Sequence, residues 1–406
     1  MTAAGTALRD SRAWLALAAV VVVGVAIRFP ALAATGHLGD VLVVSRWAER
    51  MADVGPLGFY DGGGSIYPAL LYLYWPLGVL FDGDALDLAI KALAVPFDVA
   101  VGLLLFWMTA SRAGRWAGVG AAGLYLLNPA VILAGPVWGQ IDAAGTLPMI
   151  AALLAAAHRR LGLAAGLAVV AGLVKPQFGL VLLPVLVLAG IATRRERSLW
   201  PAAWALTGLV VGYLVIAGPL LLSPVEHAGN IAGVTEIRQE ASVHAPNMWA
   251  LLFGYERMDT GFGGIGLALL VVGLAAAQLP LRWGRDLRTL LVVGVFVCFV
   301  FYFLPTRVHE RYLFPVMAVL APLAAVSWSV LAGYLALAAA FTLSLLYALA
   351  DTTPFTLPQE WDEVLITPEM VIALSIVMIL AALTLVIQLS AGAGRLLASG
   401  PRGSPT

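Results

Sequence analysis

The sequence predicts an all-α fold, a polytopic transmembrane helical bundle of about 12 spans with juxtamembrane helices on the extracytoplasmic side. Three observations predict it. Hydrophobic residues fill 61% of the 406 positions and charged residues only 11%, which leaves too little polar surface for a water-soluble globule of this size. Apolar runs of about the length that crosses a bilayer, or slightly less, recur along the whole chain. Basic residues crowd into alternate connections between those runs, the asymmetry that positive-inside insertion produces.

The first run, residues 13–34, follows Arg9 and Arg12 and is too long for the core of a secretory signal, so it reads as a retained span with a cytoplasmic N-terminus. Further spans are expected at 85–110, 116–134, 143–157, 161–174, 178–192, 200–222, 263–281, 289–304, 312–330, 331–350 and 368–389. The inner connections then hold Arg112/Arg115, Arg159/Arg160, Arg194/Arg195/Arg197 and Arg282/Arg285/Arg288, and the tail holds Arg395 and Arg402. Fourteen of the 23 basic residues lie inside by this count, against the acids Asp10, Glu196 and Asp286. That bias puts both termini in the cytoplasm, and a multi-pass protein of the plasma membrane is expected.

Residues 67–81 are apolar but fall short of the roughly 20 residues a span needs, so a juxtamembrane or re-entrant helix is expected there. The segments flanking Lys175 are each about 21 Å long at 1.5 Å per residue and are expected to meet inside the protein. No charge falls between Tyr312 and Ala350, and the break in that stretch is placed near Gly333 by length alone. Residues 1–406 read as one membrane domain. Cys298 is the sole cysteine, which excludes an internal disulfide or a cysteine zinc site.

Polar sequence collects in the outer loops 35–66, 135–142, 223–262, 305–311 and 351–367. In the first, Val44, Trp47, Ala48 and Met51 alternate at helical spacing with Arg46, Glu49, Arg50 and Asp53, the pattern of an interfacial amphipathic helix. Asp40, just ahead of it, suits either a helix N-cap or a general base held at the membrane surface. Trp138, Gln140 and Asp142 follow Asn128-Pro129; an amide and a carboxylate together are suited to sugar hydroxyls, while Trp138 also fits an interfacial anchor and Asp142 an N-cap. Lys175, in Lys175-Pro176-Gln177, either snorkels or meets a phosphate where Pro176 breaks the backbone. Asp98, deep in the second span, is assigned a structural hydrogen-bonding role ahead of a functional one.

In the loop 223–262, Glu226, His227, Glu236, Arg238, Glu240 and Glu256 read as solvated surface and 232–241 as another interfacial helix. His244-Ala-Pro-Asn247-Met-Trp249 is the part expected near a substrate. Arg307, His309, Glu310 and Arg311 crowd one helix mouth. A self-neutralised anchor would need fewer charges, so the mixed cluster favours a grip on phosphate oxygens, for which arginine is well suited. There is no zinc spacing, nucleophilic triad, phosphate-cradling glycine loop or nucleotide motif, and no nucleic-acid partner is expected.

The order of these motifs resembles the GT-C glycosyltransferases over about residues 13–330. Asp40 before an amphipathic helix, Tyr67-Pro68, Asn128-Pro129 ahead of Trp138-Gly139-Gln140-Ile141-Asp142, and Lys175-Pro176-Gln177 carry the resemblance. Val308-His309-Glu310-Arg311 is similar to the His-Glu-Lys signature of dolichyl-phosphate-glucose glucosyltransferases. The Trp-Gly-Gln-x-Asp run resembles bacterial relatives of the glycosylphosphatidylinositol mannosyltransferases. The resemblance implies a membrane-embedded hexosyltransferase that moves a hexose, mannose favoured, with inversion. The donor would be a polyprenyl-phosphate sugar and the acceptor an extracytoplasmic glycan, lipid or protein, reached among membrane lipids. Asp40 would be the catalytic base. Lys175, Arg307, His309 and Arg311 would bind the donor phosphate, and Trp138, Gln140, Asp142, His244 and Glu310 the sugar or acceptor. Many relatives carry a second acid beside the first-loop aspartate; here its neighbours are Gly39 and Val41, so a divalent metal is not favoured. Two other readings compete: a secondary transporter, whose site would lie near the bilayer midplane between repeats, and a glycan ligase or polymerase using a lipid-linked substrate.

Overall fold

The computed structural model describes residues 3–62, 64–237, 239–255, 257–355 and 357–398; Arg238, Glu256 and Arg402 lie outside them. It is an all-α membrane protein. Seven of the described helices are long and apolar enough to cross a bilayer, and an eighth crossing arises if one pair bent by 48° counts as a single span.

α1 (Ala3–Ala31) precedes α2 (Leu38–Gly58), whose buried residues Val41, Ser45, Ala48 and Met51 recur every three or four positions and make one inward stripe. α3 (Pro68–Leu80) packs on that stripe and is one of the shorter apolar helices. α4 (Gly83–Ala92) and α5 (Ala94–Ala113) together form one apolar stretch of 31 residues. α6 (Arg115–Leu126) and α7 (Pro129–Ile132) are the bent pair. The bend sits at Asn128-Pro129 because the Asn128 side chain caps Ala130 N at 2.9 Å and Pro129 has no N–H to continue the preceding helix.

α8 (Asp142–Ala157), α9 (Leu161–Val174), α10 (Leu182–Glu196) and α11 (Trp200–Ala217) follow. α9 and α11 approach backbone to backbone through Gly162/Gly166 and Gly208/Gly212, a small-residue spacing that lets membrane helices pack closely. A Cβ at Gly212 would lie 2.7 Å from the Gly166 carbonyl oxygen, and one at Gly208 would overlap that of Gly162. α12 (Pro224–Thr235), α13 (Met248–Phe253), α14 (Gly263–Ala276) and α15 (Leu287–Phe303) lead to α16 (Phe314–Ala324), every residue of which is buried. α17 (Trp328–Thr352), α18 (Gln359–Leu365) and α19 (Pro368–Ala398) complete the described chain. Large apolar side chains on the outer helices, such as Val215, Val272 and Ile387, stay exposed, as a lipid-facing surface requires.

Three expectations need correction. The break expected near Gly333 falls at 325–327; Gly333 lies inside α17, where a Cβ would press on Leu385 at 2.8 Å. The interfacial helix expected at 232–241 is instead α12, which starts at a capping box in which Ser223 and Glu226 bond reciprocally. Asp40 and Asp142 are not N-caps, since His37 and Ile141 occupy those positions. Asp98, given a structural hydrogen-bonding role from sequence, is held by two donors: Arg28 Nε at 2.9 Å and Tyr125 Oη at 2.9 Å. Lys91, also buried, donates to the carbonyls of Leu32 (2.8 Å) and Ala34 and so closes the end of α1.

Candidate functional site

Backbone geometry brings the first loop to the Trp138 segment. His37 N donates to the Trp138 carbonyl at 3.0 Å, and the two rings stack with centroids 5.1 Å apart and planes 4° from parallel. His37 Nδ1 then accepts from Asp40 N at 3.1 Å, so the cap that starts α2 also fixes where Asp40 stands. The chain reaches Trp138 through a π turn, Leu133–Val137, a conformation common at functional sites. Gly139 follows with φ +97, and a Cβ there would sit 2.7 Å from Val41 Cγ2. Glycine therefore permits both the backbone sign and the closeness of the two segments.

One carboxylate oxygen gathers the cluster. Asp40 Oδ2 accepts from Trp138 Nε1 and from Gln140 Nε2, each at 2.8 Å, and lies 3.4 Å from Arg311 Nη1 and 3.5 Å from His37 Nδ1. Burial pushes the Asp40 carboxyl up, but Arg311 and the hydrogen bonds from Trp138 and Gln140 together outweigh burial and hold it well below the usual carboxylate range. The group is an anion at any physiological pH.

The Gln140 amide links this carboxylate to a second charge. Lys175 Nζ donates to Gln140 Oε1 at 2.6 Å and also bonds Asp142. An ammonium only donates and a carboxylate only accepts, so the amide must turn its oxygen to Lys175 and its nitrogen to Asp40. Lys175 and Asp142 are each 2% exposed, and the ammonium stands 5.8 Å from the Tyr67 ring centroid. Burial, with Asp142 and Asp40 nearby, pushes the Tyr67 phenol up to about 12 despite Arg311, leaving it neutral.

Arg311 closes the other side. Its Nη1 bonds Glu310 Oε1 at 2.7 Å and its guanidinium lies 5.6 Å from the Trp138 ring centroid. Burial pulls the Arg311 guanidinium down, yet Asp40 and Glu310 outweigh burial and raise it. The segment carrying it is held by a short parallel pairing of β1 (Ser242–Val243) with β2 (Val308–His309), in the register Ser242↔Val308 and Val243↔His309. Arg307 N adds a bond to the Ala241 carbonyl at 3.2 Å.

Seven of the ten residues picked from sequence thus form one connected group: Asp40, Trp138, Gln140, Asp142, Lys175, Arg311 and, through Arg311, Glu310. The structure leads others elsewhere. Arg307 forks onto Asp259 at 2.7 and 3.1 Å, and this bond, with Thr306 beside it, holds the Asp259 carboxyl below its usual range despite burial. His244 Nε2 lies 2.8 Å from Asp351 Oδ2, among Tyr255 and Tyr347. His309 lies 3.9 Å from Glu310 Oε2 and packs on Tyr312. Trp138 is 2% exposed and orients Asp40 from within the core. Sequence reading missed His37 and Tyr67 as members, although His37 stands three residues before Asp40, one helical turn away. Among the described residues, no three His, Cys, Asp or Glu side chains come together in a way that would hold a metal ion.

Chemically the group combines an ionised carboxylate, a guanidinium shared between two acids and an amide of fixed polarity. An anionic ligand at Arg311 would compete directly with Asp40. No protein-family model matches the sequence, and no curated protein matches it.

Proposed function

We propose that the protein is a GT-C type glycosyltransferase that moves a hexose, mannose favoured, from a polyprenyl-phosphate carrier to an extracytoplasmic glycan, lipid or protein acceptor. One observation carries the reading: Gln140 and Arg311, from segments distant in sequence from the first loop and from each other, converge on one carboxylate oxygen of Asp40. Transfer from a lipid phosphate needs a proton acceptor beside a cation for the departing phosphate, and that pairing is what the convergence supplies.

In this reading the acceptor hydroxyl gives its proton to Asp40 while its oxygen attacks the anomeric carbon from the side opposite the phosphate. The bond from that carbon to the phosphate oxygen breaks, its electron pair leaves with the lipid phosphate, and configuration inverts. Arg311 meets the charge that grows on the phosphate. Lys175, enclosed by Asp142 and Gln140, acts by turning the Gln140 amide toward Asp40 rather than by touching phosphate. Arg307, committed to Asp259, anchors its loop. The proposal also takes the shorter helices α8, α9, α15 and α16 as crossings that complete twelve spans, with both termini cytoplasmic and the Asp40 group outside the plasma membrane.

The test is turnover of purified protein with polyprenyl-phosphate mannose, glucose and arabinose. Transfer with one of them, lost in a folded Asp40→Asn variant by about 10²-fold or more, is the expected result. No turnover or binding with any donor overturns the assignment.

A further inference from the structure

The opposite end of α9 carries a second assembly that sugar transfer does not use. α9 starts just after Arg160 and ends at Lys175, so about 21 Å separate its two ends at 1.5 Å per residue. A cavity of about 520 Å³ opens there between α9, α10 and α11, lined among others by Arg159, Arg160, Glu196, Trp200 and Trp204.

Positive charge exceeds what the local acids neutralise. Arg159 pairs with Glu196. Asp286 is occupied at the start of α15, accepting from Thr289 N at 2.9 Å and Thr289 Oγ1 at 2.7 Å. Arg285 stands close enough to Arg195 and Arg159 that burial and then those two charges lower its pKa, and its Nε is buried with no hydrogen-bond partner. Like charges drawn together this way are destabilising unless an anion joins them. Positive-inside insertion requires arginines in these loops, but it does not require Arg159 and Arg160 to line one cavity with the two tryptophans at the start of α11.

The remaining wall is aromatic and apolar. Trp200 and Trp204 lie one turn apart with ring centroids at 6.5 Å, and both are exposed, as is Leu163 on α9. Tryptophan favours the depth of lipid glycerol and ester groups, and a soluble anion would gain nothing from these rings. We propose that this cavity binds an anionic glycerophospholipid, its phosphate beside Arg159 and Arg160 and its glycerol and upper acyl chains against Trp200 and Trp204. Basic pockets between membrane helices recognise such headgroups.

Native mass spectrometry of the full-length, detergent-purified protein tests this with phosphatidylglycerol and phosphatidylcholine of identical acyl chains. Phosphatidylglycerol should be retained the more strongly, and retention should fall about fivefold for each of Arg159→Ala and Arg160→Ala. Glu196→Gln should strengthen it by removing the carboxylate that pairs with Arg159, a gain that misfolding cannot produce. Millimolar glycerol 3-phosphate should not displace the lipid. Equal retention of the two lipids, unchanged or weaker retention in Glu196→Gln, or displacement by glycerol 3-phosphate overturns the proposal.

Discussion

Arg311→Gln tests whether the charge on Arg311 is what holds Asp40 ionised. At 3.4 Å and an effective dielectric constant of about 20, two unit charges attract by about 5 kcal/mol. The Asp40 side chain is 26% exposed and would keep its bonds to Trp138 and Gln140, so roughly half of that, about 2.5 kcal/mol, is a fair net loss. At about 1.4 kcal/mol per unit, the Asp40 pKa should rise by about two units. In the wild type, Asp40 titrates below its unfolded value in the folded state. Its stabilising contribution is therefore complete above about pH 3.9 and is lost as pH falls further, by about 1.4 kcal/mol per pH unit at most. The variant, its folded pKa restored toward the unfolded one, should lack most of that dependence. Unfolding of detergent-purified protein followed from pH 7 to pH 3 should therefore show a stability gap that is constant down to about pH 4 and narrows below it. The same substitution in an Asp40→Asn background should show no such narrowing, which separates Asp40 from Glu310. A gap that is constant over the whole range, or that narrows equally in both backgrounds, refutes the reasoning. A donor phosphate binding Arg311 would act like the substitution, making Asp40 more basic only when there is a phosphate to displace.

Lys175→Met should cost about 3–5 kcal/mol, because Asp142 is left buried and charged; Lys175→Met/Asp142→Leu should recover much of that in thermal unfolding while transfer activity stays low, since Gln140 is no longer oriented. Gly208→Ala should lower stability by about 1–3 kcal/mol or more through overlap with the Gly162 carbonyl, read as a fall in Tm, and Gly190→Ala, where a Cβ meets nothing within 4 Å, should be near neutral. Arg307→Ala should raise the rate of proteolysis within the 223–262 loop, whereas a change confined to the KM for donor would return Arg307 to the phosphate.

The sequence made the class and most helices legible because lipid imposes long apolar runs and leaves arginine few places to stand. The junction at Lys175 was equally readable, since Pro176 interrupts two runs that are each too short alone. Side-chain pairing was not. Arg28 and Asp98 are 70 positions apart, and no local spacing connects them. The break at 325–327 is Ala325-Val326-Ser327, and none of the three is a proline or glycine that would mark it. α12, by contrast, announced itself in Ser223-Pro-Val-Glu226, a capping signature that outranks the apolar pattern around 232–241. Asp40 was read correctly as standing near a helix start, but local propensity could not reveal that His37 would cap the helix and leave the carboxylate for Trp138, Gln140 and Arg311.

The pairing of Ser242–Val243 with Val308–His309 has a consequence for how this chain changes over evolutionary time. Main-chain groups make those hydrogen bonds, and any residue other than proline supplies them. The loop 223–262 is thus moored beside the segment that carries Arg311 at a place indifferent to the identity of its side chains. Substitutions farther along that loop alter what it offers to an incoming molecule while the mooring stays put. New preferences at the rim would then arise by single replacements, without disturbing the placement of Arg311.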